Sequence, residues 1–172
     1  MAGVRSVVDE FFCMVEPPEG HRADFRAGPN FAVKYVVGVR LADGHILYVS
    51  PWYPGSWPDI VALRHCGLLD RLLSGEFLLA DLAFVGEGQV LHKVKRWRGV
   101  SLTQDQQFYN YVVSSLRVIV ERTLNRLSVF QCFNQRWRHG LDRHEDIFQV
   151  LCQIVNVDLA YRPLSAHVYN SE

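Results

Sequence analysis

FAVKYVVGVRLADGHILYV, residues 31–49, contains two runs of β-branched and aromatic residues, Phe31–Leu41 and Ile46–Val49, on either side of Ala42-Asp43-Gly44-His45. Asp-Gly between two such runs is a strong hairpin signal, because glycine takes up the positive φ a tight turn needs, so the two runs should pair antiparallel. A sheet therefore begins in the first third of the chain. Upstream, Val4–Val8 and a short run Phe11–Val15 read as further strands, and PPEGHRADFRAGPN, residues 17–30, reads as an exposed loop because Pro, Gly and charge dominate it.

Downstream the period changes. Ser56 and Asp59 have capping-box spacing, Pro58 sits in the first turn, and Ile60, Leu63, Leu68 and Leu72 recur at roughly helical spacing, which predicts a helix from Trp57 to about Leu73. Phe77-Leu78-Leu79-Ala80 is a short continuous apolar run, the mark of a strand buried on both faces, and it ends at Asp81. A helix from about Asp105 to Arg126 is expected to turn Phe108, Tyr111, Val112, Ser115 and Ile119 to the core, and a last helix, Arg143–Val157, to turn Ile147, Val150, Leu151, Ile154 and Val155 inward. Strands, helix, strand, helix make an α/β domain.

The 172 residues are 49% hydrophobic and 21% charged, enough apolar mass for one core and too little charge for intrinsic disorder. No apolar run approaches the roughly 18 residues that would span a bilayer, and Asp9 and Glu10 interrupt the place where a signal peptide would stay apolar. The expectation is a soluble, non-secreted protein with no membrane partner. Cys13, Cys66, Cys132 and Cys152 stand far apart, which suits buried thiols in a reducing compartment rather than a disulfide framework.

Net charge is zero, yet the charges are segregated. Lys+Arg against Asp+Glu is 7 against 11 in residues 1–91, 10 against 3 in residues 92–143, and 1 against 4 in residues 144–172. The middle segment is a basic stretch of the kind that holds a polyanion, and equally of the kind that simply solvates a surface.

Three carboxylates stand beside apolar runs. Asp9 closes Val7-Val8, Asp81 closes Leu78-Leu79-Ala80, and Glu121 follows Val118-Ile119-Val120. An acid flush against buried positions is costly unless it is paired or holds a cation, and three converging acids repel unless a dication neutralises them. Structural readings stand beside this one: Asp9 capping a turn, Asp81 as an N-cap, and Glu121 paired with Arg117 one helical turn earlier.

Taken in order, SVVDEFF, YVSPWYPGSWPDIVALRHCGLL, FLLADLAF and FYNYVVSSLRVIVERTLNRL resemble the DDE superfamily endonuclease domain of Harbinger-type transposases and their domesticated relatives. The resemblance covers almost the whole chain, 1–172, as one domain. Its motifs map onto Asp9, Gly55-Ser56-Trp57-Pro58-Asp59, Asp81, and Arg117 to Arg122. Ala80, Ala83 and Phe84 stand where the family usually has Gly, Gly and Tyr, and Glu10-Phe11 replaces the usual small residues. The helical DNA-recognition domain such transposases carry at the N-terminus is not among these residues.

The resemblance implies an RNase H-like α/β fold, a mixed sheet of about five strands flanked by helices, with Asp9, Asp81 and Glu121 as catalytic and metal-binding residues for Mg²⁺ or Mn²⁺. It implies phosphodiester cleavage in DNA, with Lys93, Lys95, Arg96, Arg98, Arg136 and Arg138 as nucleic-acid contacts and Trp97 and Trp137 available to stack on a displaced base. A separate DNA-targeting protein as partner, and a nuclear location in a eukaryote or a cytoplasmic one otherwise, follow from the same resemblance. The rival expectation is a catalytically inactive domesticated relative that keeps the fold as a DNA- or protein-binding module. Asp59 reads as the acid of a helix capping box rather than a fourth ligand.

Overall fold

A computed structural model describes residues 3–164. The elements run β1 (Val4–Met14), β2 (Arg26–Ala27), β3 (Asn30–Arg40), β4 (Ile46–Val49), β5 (Tyr53–Pro54), α1 (Asp59–His65), β6 (Phe77–Leu79), β7 (Val90–Leu91), α2 (Gln104–Leu127), α3 (Gln131–Asn134) and α4 (Leu141–Tyr161). The seven strands form one mixed sheet in the order β2-β3-β1-β6-β7, with β4 and β5 also on β3. β1 pairs antiparallel with β3 and parallel with β6, and β6 pairs parallel with β7. This α/β arrangement is compatible with an RNase H-like fold. The expected strands Val4–Val8 and Phe11–Val15 merge into β1, and the unexpected strands β2, β5 and β7 are two-residue pairings, too short to leave a periodic signature.

The hairpin forms as its turn chemistry requires. Val37 faces Val49 and Gly38 faces Tyr48 across β3 and β4. In the turn, Gly44 has φ +80°, and a Cβ there would lie 2.8 Å from Thr123 Oγ1 of α2, so the residue serves both the turn and the close approach of the helix.

The sheet is covered on both faces. Val7, Phe11 and Cys13 of β1 face α2, α3 and α4 together with Val33, Tyr35, Val37 and Leu79. Val8, Val36, Leu78 and Ala80 face the other way, against Ala62 and Leu63 of α1. This alternation places Asp9 on the α2 face and Glu10 on the α1 face.

Several local expectations are corrected. β1 does not stop at Val8: it runs unbroken through Asp9 and Glu10, because each acid finds a cation on its own face. The helix expected over 57–73 is only α1 followed by a 3₁₀ turn at Leu69–Arg71, and Gly67, at φ +76°, lies between them. Its start has no side-chain cap: Ser56 Oγ donates to Asp24 O at 2.5 Å, and Asp59 accepts from Lys34 Nζ at 2.6 Å, so Asp59 is an ion-pair acid and not a capping-box acid.

The helix stripes differ too. α2 buries Val113, Arg117, Val120, Thr123, Leu124 and Leu127, while Phe108 and Tyr111 lie in solvent. α4 buries His144, Phe148, Cys152, Val155 and Leu159 and leaves Val150 and Ile154 exposed. Both true stripes keep helical spacing but include polar members, which hid them. α2 begins in a full capping box: Thr103 Oγ1 accepts from the Gln106 N–H at 3.2 Å, and Gln106 Oε1 accepts from the Thr103 N–H at 3.0 Å.

Candidate active site

β6 ends early, and that decides where the acids meet. Val7 of β1 lies beside Leu79 of β6, so Asp9 and Asp81 stand level, each two residues further on. β1 continues to Met14, paired beyond that point with β3, and its other edge is no longer paired with β6 where Asp9 and Asp81 stand.

Arg117 of α2 enters this notch. Its Nη2 donates to Asp9 Oδ2 at 3.0 Å, and its Nη1 lies 3.2 Å from Asp81 Oδ1. The Arg117 side chain is 10% exposed, Asp9 23% and Asp81 46%, so the guanidinium is the most buried of the three groups. Asp9 Oδ1 accepts from the Glu10 N–H at 2.9 Å, which fixes the carboxylate in one orientation. Burial raises the Asp9 pKa above the ordinary carboxylate value, against the lowering effects of that backbone bond and of Arg117, and the nearby Asp81 charge pushes it up further.

Glu121 sits one turn beyond Arg117 on α2 with its side chain exposed. Asp9 and Asp81 are thus brought together through Arg117, while Glu121 shares only the helix with that arginine. Among the described residues no three His, Cys, Asp or Glu side chains gather closely enough to hold a metal ion as they stand. The structural alternatives also change. Asp81 occupies the N-cap position of the 3₁₀ turn Leu82–Phe84 without a side-chain cap bond, and Arg117 is engaged by the two aspartates. The sequence offers Arg117 as a motif residue and as a partner for Glu121, not as the partner of Asp9 and Asp81 that it is. Its place in the buried stripe Val113, Arg117, Val120, Leu124 was the signal that its charge needed an acid inside the fold.

The cationic residues fall into two groups. β7 leaves the sheet alongside β6, and two residues later the loop carrying Lys93, Lys95, Arg96 and Arg98 begins, at the same sheet end as Asp81. α2 anchors this loop: Asn110 clamps Val94 through both its N–H (2.7 Å) and its carbonyl (3.0 Å), and Tyr109 donates to His92 O. Lys95, Arg96 and Arg98 are exposed, and Trp97, 67% exposed, carries Lys95 Nζ 4.9 Å over its ring.

Arg136 and Arg138 flank Trp137, which bridges Val15 at the far end of β1, roughly 20 Å beyond Asp9 at the usual rise per strand residue. Arg136 pairs with Glu16 at 3.6 Å. Trp137 is partly buried, donates to Gly140 O at 3.1 Å and packs edge-on against His144, so it is a packing residue there.

On the opposite face, Lys34, 2% exposed, lies 2.6 Å from Asp59 Oδ1 and 3.5 Å from Glu10 Oε1 and donates to Trp57 O. Burial and the Asp59 charge push the Glu10 carboxyl well above its usual range, with Lys34 opposing. Glu10, the departure beside the first aspartate, is thereby accommodated by Lys34 rather than left facing the acids of the notch. Three of the four cysteines, Cys13, Cys66 and Cys152, are buried, and all four are free thiols.

With this geometry in view, the chain belongs to the DDE superfamily endonuclease family, whose model matches residues 11–156. No curated protein and no solved structure matches it. The match starts within β1, two residues after Asp9, and includes both Asp81 and Glu121.

Proposed function

We propose that the chain is a divalent-cation-dependent DNA endonuclease that cleaves phosphodiester bonds with Asp9, Asp81 and Glu121. The observation that carries this is the level placement of Asp9, on β1, and Asp81, two residues past the end of β6, where the two carboxylates share one cationic partner. The donor chemistry suits the group the family implies: carboxylate oxygens are the ligands that Mg²⁺ and Mn²⁺ prefer. Asp9, Asp81 and Glu121 would hold it, and when bound it supplies an activated water or 3′-hydroxyl and stabilises the leaving oxygen.

The chain's own residues do the rest. The Glu10 N–H holds Asp9 in a fixed orientation, so that carboxylate needs little reordering. Lys95, Arg96 and Arg98, on the loop tied to α2 by Asn110, offer exposed cations at the Asp81 end of the sheet for the phosphates flanking the scissile bond. Trp97 presents an open ring face on which an unpaired base can stack. Arg136 and Arg138 would contact DNA only further along the same side.

A second reading, a non-catalytic DNA-binding relative, is favoured by one feature: Arg117 already pairs with both aspartates and offsets one of their two charges. Calorimetric titration with Mn²⁺ separates the two. The endonuclease reading expects saturable binding by the wild-type chain that Asp81→Asn and Glu121→Gln each weaken at least tenfold. Wild-type binding no stronger than that of Asp81→Asn favours the binding module.

A further inference from the structure

The Arg117 guanidinium is shared by Asp9 and Asp81, and it is poorly provided for otherwise. Its Nε is buried without a hydrogen-bond partner, and the side chain is almost wholly enclosed by the core stripe of α2. A buried charge persists only where an opposite charge compensates it, so Arg117 depends on the two aspartates as much as they depend on it.

From this arrangement we infer that Arg117 is an internal counter-ion that closes the acid pair, and that a divalent cation binds Asp9 and Asp81 only by drawing their carboxylates away from it. This rests on the reading of Asp9 and Asp81 as cation ligands. Two observations carry it. Each Asp9 oxygen already accepts from one donor, the Glu10 N–H or Arg117, so a cation bridging Asp9 to Asp81 on the Arg117 side competes with the guanidinium for Oδ2. The guanidinium reaches both acids at once, through Nη2 and Nη1, so a dication on the pair lies next to a like charge whose own side chain is only 10% exposed.

The device has a definite consequence. Without the dication the site is held together by Arg117 and carries a net charge of about −1 rather than −2. Affinity for a divalent ion is then set by a competition, because binding is weakened by whatever stabilises the closed form.

The test is the Mn²⁺ affinity of Arg117→Met, which keeps the length and apolar bulk of the stem, beside Arg117→Lys, which keeps a charge but as a compact ammonium without the planar guanidinium fork. Titrations at pH 8 use folded protein, verified by its far-ultraviolet circular dichroism. The inference expects Arg117→Met to bind Mn²⁺ at least tenfold more tightly than wild type, Arg117→Lys to fall between, and Asp81→Asn added to Arg117→Met to abolish the gain. In wild type, Mg²⁺ should shift the Arg117 Nε–H resonance, identified by its loss in Arg117→Lys.

Wild-type binding that Arg117→Met leaves unchanged or weakens, with Asp81→Asn still reducing it, overturns the counter-ion role and leaves the ligand reading standing. Absence of binding in wild type and in both Arg117 variants overturns both. If Arg117→Met does not fold, the Lys variant and the Arg117 resonance decide: no gain in Arg117→Lys and no shift with Mg²⁺ overturn the inference.

Discussion

Arg117 Nη2 lies 3.0 Å from Asp9 Oδ2, across the space between the longest helix and the central strand. The same guanidinium reaches Asp81, so acids 72 positions apart in the chain are joined through one residue. An acid in the middle of a strand is tolerated because this cation is there, and the cation is tolerated in a helix core because the acids are there.

The pairing sets the sign of a stability change. A bare cluster of carboxylates would be relieved by losing one charge, and the sequence alone suggests that Asp81→Asn would stabilise the metal-free chain. With Arg117 between the acids, Asp81→Asn removes an attraction instead. Because Asp81 is 46% exposed, the loss is modest, about 1 kcal/mol or less. Thermal melts in EDTA should show a slightly lower midpoint for Asp81→Asn, and a higher one contradicts the bridge.

The loop after β7 is expected to hold phosphates. Lys95→Glu combined with Arg98→Glu should weaken binding to duplex DNA and flatten its dependence on salt, by a log–log slope of roughly 0.9 for each phosphate no longer neutralised. Fluorescence anisotropy at several salt concentrations measures both. Unchanged affinity at low salt would make the loop ordinary surface.

Lys34 gives a stability test independent of the site. Asp59→Asn leaves a buried ammonium without its nearer acid, 2.6 Å away, and should cost about 3 kcal/mol in urea unfolding, at the lower end for breaking a buried pair because Glu10 remains 3.5 Å away. Glu10 behaves differently. Its carboxyl is raised by burial and by Asp59, so the folded chain binds that proton more tightly than the unfolded chain, and its contribution to stability falls as pH rises above the ordinary carboxylate range. Glu10→Gln should keep most of the stability at pH 7 and remove that part of the slope.

His144 gives a slope of opposite sign. It is 1% exposed, its Nδ1 lies 2.7 Å from the Tyr35 hydroxyl, and burial lowers its pKa to about 4. Below pH 6.5 the unfolded chain takes up a proton that the folded chain refuses, so stability should fall as pH drops from 6.5 towards 4, by up to about 3 kcal/mol. His144→Gln, compared with wild type by urea unfolding at pH 4.5 and 7, should lose most of that difference.

The sheet is legible in the chain where the period is clean. Asp43-Gly44 and its flanking runs predict β3 and β4, and Phe77–Ala80 predicts β6, because turn chemistry and continuous apolar runs are local signals. β1 looks shorter in the sequence than it is, because Asp9 and Glu10 resemble a strand end to any rule that counts side chains one at a time. Only their partners, Arg117 and Lys34, far away in sequence, explain why the strand continues. The misread stripes of α2 and α4 share that cause: Arg117, Thr123 and His144 are buried through contacts that periodicity of apolar residues cannot register. Asp9 and Asp81 stand out as acids beside apolar runs, but the residue that joins them does not, since its polarity argues for the surface.

Supercoiled plasmid nicking in Mg²⁺ or Mn²⁺, run in parallel on wild type, Asp9→Asn, Asp81→Asn and Glu121→Gln, decides whether this chain is a nuclease. Nicking is expected from the wild-type chain, with its loss in each of the three variants while the fold is retained. Equal trace cleavage by all four preparations would contradict the three-acid site and leave the chain as a DDE-family fold that binds without cutting.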